Sequence, residues 1–534
     1  MTTPSPDGRM PMASTPDDAK ILYGLDDKPA FGRAAGLGFQ HVLTMFGSTV
    51  AVPLLFAPAL WPIPDALPKE LAERLETIQL TNAALLISSV MLCSGVATLL
   101  QVTLGSRLPI IQGVSFSFLA AFFGIVAATL GQAPIDWAAA VATPEALETA
   151  VTQWQDSGAR ALRVIAGAII FGGIVEAIVG FTGLMGQVRR ILSPVVIGPV
   201  IMLIGLALYQ FGAPFAASNW PISILTMAMI VVFALVLSRR VRLFKLFPML
   251  LAILGAVAVC AALGGAGLVT DDNPAFVDLS AVGRADTLRL TTLLFPWGLP
   301  EFTGAAIVAV LAGYLASMIE SFGDYHACKQ IAGAGDPTPA EISRGIGFEG
   351  VACAITGVLG GFSSTSYSEN IGLVGLTRVA SRYVVLIGAV MLILLGLFGK
   401  FGALAAAIPQ PVVGGLYCTM FGLIAAVGVR QFARADLTSD RNLFIGGFAL
   451  FMGLSVPFYF QNGGSDAVSA ALPASLAGIA IAIGTTGMAV AAILGLTLDN
   501  LVPGTPEERG LVHTPSILIQ EADDVDTVLE GQTP

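Results

Sequence analysis

Four carboxylates stand where carboxylates are costly. Glu320, Asp324, Glu349 and Glu369 lie within or beside long hydrophobic runs, between Gly313 and Arg382. An ionised acid at membrane depth costs several kcal/mol, so such residues line an interior cavity or an ion path. Two acids facing one hollow could accept hydrogen bonds from a polar solute with N–H donors. Burial and a like-charged neighbour both favour a carboxyl's neutral form, so one of them could also carry a proton across. The segment SSTSYSEN, which ends in Glu369-Asn370, is small, polar and helix-poor, with apolar helical sequence on both sides. Irregular backbone at that depth is tolerated only where protein buries it or it lines a cavity. A short extended piece running into a half-helix, with an acid at the junction, is how transporters build midplane sites. The pattern points to a membrane transporter whose substrate sits between Glu320 and Glu369.

Composition sets the surroundings. The chain has 534 residues, 55% hydrophobic and 12% charged, against roughly 25% charged in soluble domains. It belongs in a lipid bilayer. The net charge of −10 comes mostly from acids in the tails and a few loops and gives nucleic-acid binding no support. The five cysteines show no metal spacing, and no nucleotide loop, metal pair or nucleophile elbow suggests an enzyme or a cofactor. Residues 1–30 read as a disordered cytoplasmic tail, and 500–534 as an acidic one.

Between the tails, fourteen apolar spans are expected, near 39–60, 79–103, 108–128, 163–186, 193–213, 220–238, 243–265, 303–323, 345–362, 366–378, 382–399, 403–428, 442–460 and 472–497. The tenth is broken, and the full spans meet or approach the ~20 residues a helix needs to cross. Arginine and lysine concentrate in alternate links: Arg107; Arg189 and Arg190; Arg239 to Lys245; Lys329 and Arg344; Arg378 and Arg382; Arg430, Arg434 and Arg441. This positive-inside pattern places both termini in the cytoplasm. Ser193–Leu208 and Ile408–Ile424 echo each other seven spans apart, as do Leu108–Phe118 and the SSTSYSEN stretch. Seven is odd, so a repeat of seven spans is inverted, and paired breaks in such repeats mark a substrate site. The expected organisation is a first repeat over 31–265, an extracytoplasmic loop over 266–302 and a second repeat over 303–499.

These residues resemble the nucleobase–ascorbate transporter family, which includes bacterial uracil and xanthine permeases. The family signature, a polar residue followed by Asn-x-Gly-x4-Thr-Arg/Lys, reads here as Glu369-Asn370-Ile-Gly372-Leu-Val-Gly-Leu-Thr377-Arg378. The family's first-span pair appears as Gln40-His41, its third-span motif as Gly113-Val114-Ser115-Phe116, and its eighth-span acid as Glu320. The resemblance covers about residues 31 to 497. It implies an all-α polytopic fold of seven plus seven inverted spans, in a core and a gate domain, with two short antiparallel strands from spans 3 and 10.

By the same resemblance, Glu320 and Glu369 hold the base, Phe116 packs on it, and Tyr367 and Ser368 lie beside it. His41, Glu320 and Asp324 couple the cation, while Gln40, Ser115, Glu349, Asn370, Gly372, Thr377 and Arg378 are motif residues with structural roles. Plainer readings stand beside these: Asp324 as a cytoplasm-facing helix end, Glu349 as a structural hydrogen-bonder, His41 as a satisfied core histidine and Phe116 as plain core. Bacterial uracil permeases usually have histidine where this chain has Asp324. The text ESFGDYHACKQIAG is closer to the animal branch, part of which uses Na⁺.

Uracil presents two N–H donors and two carbonyls on a flat ring, and leaving one such group unpaired costs ~1–3 kcal/mol. Glu369 at the signature's first position resembles uracil-type members, and two acids oppose an anion such as ascorbate. The expectation is proton symport of a nucleobase, uracil before xanthine or uric acid, with Na⁺ as the alternative ion, in the inner or plasma membrane, with a homodimer as a possible assembly. A channel, or an anion carrier of similar plan, is the rival class.

Overall fold

A computed structural model describes residues 21–64, 66–132, 134–186, 191–290 and 292–511. Among these, ten helices are long and apolar enough to cross a membrane: Phe31–Leu60, Lys69–Thr103, Pro144–Phe181, Pro194–Ala217, Trp220–Arg239, Pro248–Gly265, Gly304–Ile331, Pro339–Leu359, Gln410–Phe432 and Asp440–Ala471. An eleventh results if Arg382–Leu397 and Gly399–Ala406, bent by 80°, form one span. The structure does not show fourteen full crossings. Phe116–Gly131, Ser368–Thr377 and Gly487–Leu501 are all short. At 1.5 Å per residue, the ten residues of Ser368–Thr377 reach only about half of a ~30 Å hydrocarbon core. The expected span 472–497 breaks at Thr485–Thr486 into Ala474–Gly484 and Gly487–Leu501. The expected span 403–428 starts only at Gln410.

The short helices follow strands. Gln112–Val114 (β1) and Ser364–Ser366 (β2) pair antiparallel, with Gln112 opposite Ser366, Gly113 opposite Thr365 and Val114 opposite Ser364. Two further bonds extend the ladder, from Ser115 N–H to the Ser363 carbonyl and from Tyr367 N–H to the Ile111 carbonyl, each 3.0 Å. Both strands are fully buried. Each thus supplies the backbone partners that neither water nor a helix provides there. Gly113 is required by its neighbour, since a Cβ at this position would lie 2.6 Å from the Tyr367 ring.

Small residues let the flanking helices close on the strands. Pro144–Phe181 crosses Pro339–Leu359 so tightly that a Cβ on Gly173 would lie 2.6 Å from the Gly350 carbonyl oxygen. Close backbone approach through small residues is the main way helices associate in lipid. Next to the strands in sequence, Phe362 packs with Phe56 and Phe122, and Phe118 meets Tyr314 edge-on at 4.7 Å.

The expected tails are shorter than their stated limits. Residues 1–20 and 512–534 lie outside the described residues, as do Arg189, Arg190 and His513. Residues 21–27, however, dock on the turn after Ser368–Thr377. Tyr23 forms a parallel bridge with Val379, Ala380 N–H donates to the Tyr23 carbonyl at 2.8 Å, and the Ser381 hydroxyl donates to the Asp27 carbonyl at 2.6 Å. Arg378 makes this turn possible with φ of +59°, a left-handed conformation uncommon outside glycine. Near the other end, buried Asp499 pairs with Arg441 at 3.0 Å and Arg509 at 2.7 Å. Those bonds hold 500–511 against the start of Asp440–Tyr459. Both segments were expected to be tail because their sequences are polar, and polarity does not register backbone or ion-pair docking.

Candidate functional site

Gly304–Ile331 carries two adjacent rows of polar side chains at helical spacing. Glu320 and Asp324 form one row; Ser317, Ser321 and Tyr325 form the other. The second row converges on Glu349: Ser317 and Ser321 donate to Oε1 at 3.2 and 2.7 Å, and Tyr325 donates to Oε2 at 2.9 Å. Gln101 Nε2 in turn donates to the Tyr325 hydroxyl at 2.8 Å. Glu349 is fully enclosed, and hydroxyl donors serve both of its oxygens.

The first row faces the break. Asp324 Oδ2 accepts from Ser366 Oγ at 2.8 Å and Oδ1 from Ser368 Oγ at 2.7 Å. Asp324 is therefore not a free helix end turned to the cytoplasm; it is buried and ties the helix to β2 and to the first turn of the half-helix. Glu369 also occupies that first turn, where the helix dipole favours negative charge. Glu320 is near enough to Asp324, Glu349 and Glu369, and Asp324 to Glu349 and Glu369, for the carboxyls to interact electrostatically. Phe116 and Glu320 are half-buried, and Ser368 and Glu369 are exposed. Of the expected substrate residues, these four remain accessible to a solute.

Tyr367 differs. Its hydroxyl donates to the Val114 carbonyl at 3.0 Å and accepts from Thr49 at 3.3 Å, and its ring covers Gly113. The side chain braces the two strands. Ser115 accepts from Ser117 N–H at 3.2 Å, which starts the helical turn that carries Phe116. Asn370 donates through Nδ2 to the His41 carbonyl at 2.9 Å and lies 3.2 Å from His41 Nδ1. The signature asparagine thus joins the half-helix to the Phe31–Leu60 helix. Thr377 bonds its own helix at the Leu373 carbonyl, Arg378 forms the left-handed end of that helix, and Gly372 faces open space. Gln40 lines a cavity of about 540 Å³ together with Leu22, Tyr23, Arg33, Arg242 and Thr377. That cavity lies at the Thr377 end of the half-helix, ~12 Å from Glu369 at 1.5 Å per residue.

Beyond the hydroxyls and Gln101 around Glu349, the buried polar residues Glu176 and Gln112 escaped the sequence reading. Glu176 is fully enclosed on Pro144–Phe181, and neither of its carboxyl oxygens has a hydrogen-bond partner among the described residues. Its signal, a lone acid in GGIVEAIVG, is the same one that marks Glu320. The Gln112 carboxamide on β1 is also buried without a partner among the described residues. A neutral carboxamide in an apolar run costs less than an ionised acid at membrane depth and gives a weaker signal.

The comparisons with known proteins decide the family. A model for the permease family Xan_ur_permease matches residues 32–462. The chain belongs to the nucleobase–ascorbate transporter family. It is 36% identical to solute carrier family 23 member 1 of Mus musculus over 96% of this chain and 85% of that protein. It is 35% identical to solute carrier family 23 member 2 of Homo sapiens, over 93% and 77%. It is 31% identical to nucleobase-ascorbate transporter 12 of Arabidopsis thaliana, over 92% and 71%. Among solved structures, the transmembrane domain of a cyanobacterium bicarbonate transporter BicA aligns with 88% of this chain and 98% of that one. Its TM-score of 0.47 and identity of 14% decide nothing. The nucleobase–ascorbate transporter homologue is a multi-pass membrane transporter and not an enzyme.

Proposed function

We propose that this family member imports a nucleobase, uracil in the first place, by proton symport with alternating access. One observation carries the reading: accessible Glu320, Glu369, Ser368 and Phe116 surround the strand–half-helix junction, with Asp324 bonded directly behind them. In this reading the two glutamates accept the ring N–H groups, Phe116 covers the ring face, and Tyr367 and Ser368 shape the edge. His41, Glu320 and Asp324 couple the ion, with Glu320 or Asp324 as proton carrier. Gln40, Ser115, Glu349, Asn370, Gly372, Thr377 and Arg378 hold the machinery. The fourteen-segment count, with the short helices taken as half-spans, belongs to the same proposal. So do the seven-plus-seven inverted repeat, core and gate domains, cytoplasmic termini, placement in the inner or plasma membrane, and a homodimer.

A second reading is xanthine or uric acid with Na⁺. Asp324, a carboxylate with two hydroxyls beside it where uracil permeases usually have an imidazole, favours it, because oxygen ligands suit a hard cation. An anion carrier ranks below both, since the accessible acids would repel its cargo.

Competition uptake in proteoliposomes separates these readings, using uracil, xanthine, urate and ascorbate with H⁺ and Na⁺ gradients imposed separately. Accumulation of uracil driven by H⁺ alone is the expected result. Ascorbate accumulation without base uptake would overturn the nucleobase reading, and accumulation driven only by Na⁺ would overturn proton coupling.

A further inference from the structure

The hydroxyls behind Asp324 form a continuous line. Ser366 Oγ lies 2.8 Å from Asp324 Oδ2, Ser321 Oγ lies 2.9 Å from Ser366 Oγ, and Glu349 Oε1 lies 2.7 Å from Ser321 Oγ. Counting hydrogens exposes a shortage. These three oxygen–oxygen contacts need three protons, and the two serines supply two. If both acids are ionised, each serine donates outward and the contact between the serines has no proton. If one acid is protonated, all three contacts are filled. The line then has two equivalent orientations, with the proton at Asp324 or at Glu349. Thr365 Oγ1, 3.1 Å from Ser321 Oγ, can join from the side but does not lie on the line.

The far end leads to a second acid. Glu176 and Glu349 each stand one residue from the tight crossing of Pro144–Phe181 and Pro339–Leu359, where a Cβ on Gly350 would lie 2.3 Å from the Ala177 nitrogen, and the two acids are within electrostatic range of each other. Neither the oxygens of Glu176 nor those of Glu349 pair with a cationic side chain among the described residues. Two neighbouring carboxylates held dry and without a counter-ion would each incur the full desolvation penalty. A shared proton removes much of that cost, and the unpartnered Glu176 oxygens leave room for it.

We propose that Glu349 and Glu176 form an interior proton-holding pair, wired to the substrate hollow through Ser321, Ser366 and Asp324. A proton arriving at Asp324 passes from its carboxyl oxygen to Ser366 Oγ. The Ser366 proton passes to Ser321 Oγ, and the Ser321 proton to Glu349 Oε1. Each serine oxygen gains one O–H bond as it loses another, Asp324 loses one and Glu349 gains one, no electrons change hands, and the serines then turn to reset the line. Ser321 and Ser366 act through the acids and contact no substrate.

This inference rests on the proton-symport reading, and the test keeps the two apart. Wild type, Ser321→Ala, Ser321→Thr and Glu176→Gln are reconstituted. Labelled uracil accumulation under an imposed proton gradient is compared with counterflow at equal pH, which moves no net proton. Ser321→Ala is expected to lower accumulation about 10-fold, the effect of losing one buried hydrogen-bond link, with counterflow largely kept. Ser321→Thr should restore accumulation. Substrate-induced infrared difference spectra should show a protonated-carboxyl band in wild type that Glu176→Gln alters. No proton-driven accumulation in wild type would overturn the symport reading and the wire together. Proton-driven accumulation kept in full by both Ser321→Ala and Glu176→Gln would overturn the wire alone. Joint loss of accumulation and counterflow in Ser321→Ala that Ser321→Thr does not repair, with the carboxyl band unchanged in Glu176→Gln, would overturn it too.

Discussion

The break around 112–114 and the break around 364–366 meet the same backbone problem in the same way. Each is a three-residue buried strand that leads into a short helix, and each satisfies its peptide groups on the other. Their side chains do different work. The first offers Phe116, the serine that starts its helix and the small Gly113, and it has no ionisable residue between Leu108 and Gly131. The second offers Ser366 and Ser368 to Asp324 and carries Glu369 in its first turn. A repeated backbone device thus supports a one-sided distribution of charge. In the proposed reading, the paired breaks set where a solute can sit, while the acids beside the second break set what it can be.

From that asymmetry, the largest expected loss comes from the charged break. Glu369→Gln keeps the shape and removes a charged acceptor, a loss of ~1.5–3 kcal/mol, or roughly 10- to 150-fold in uracil uptake at low substrate. Phe116→Ala, at the corresponding place in the neutral break, is expected to cost less. Loss of a stacking face for one base is worth ~1–3 kcal/mol, and the apparent affinity should fall with little change in maximal rate. Equal effects of the two substitutions on uptake kinetics would show that the breaks share the work. A larger effect at Phe116 would reverse the comparison.

Much of this division could be read from the chain because acids in apolar runs are loud signals. Glu320, Asp324, Glu349 and Glu369 announce themselves by cost alone, and SSTSYSEN by the absence of any helical or apolar pattern. Glu176 carries the same signal, but no polar residue near it in sequence points to a partner; its neighbours come from two other helices. Span counting misjudged lengths for a related reason. Hydropathy does not distinguish an apolar strand followed by a half-helix from a full crossing, so 108–128 counts as a span although its break at Leu108–Phe118 marks it as irregular. The docking of residues 21–27 could not be seen at all. It uses main-chain bonds to Arg378 and Ala380, to which side-chain type contributes little.

Smaller effects test the backbone half of the comparison. Gly113→Ala puts a methyl group against the Tyr367 ring and should destabilise the protein by ~1–3 kcal/mol, as overpacking does. Gly372→Ala is the control, on the exposed side of the half-helix with nothing within 4 Å. In a helix interior that exchange is worth about +0.5 to +1 kcal/mol, so the two alanines should move thermal stability in detergent in opposite directions. If both lower the melting temperature equally, β1 does not depend on close contact between Gly113 and Tyr367.

The smallest effect belongs to the docked segment. Asp26 pairs with Arg382 at 2.5 Å, but the aspartate side chain is 77% exposed, and such pairs contribute ~0–1 kcal/mol, weakened further by salt. Asp26→Ala should therefore change stability barely measurably. Replacing Ser381 by alanine removes a bond to the Asp27 carbonyl that is shielded on the serine side and should cost more, about 0.5–1.5 kcal/mol. The order matters more than either value. If the ion pair outweighed the hydroxyl, the segment would be held by surface charge, and raised salt would release it. If the hydroxyl outweighs the ion pair, docking follows from the turn that ends the charged break. The segment is then part of that break's architecture, and salt leaves it in place.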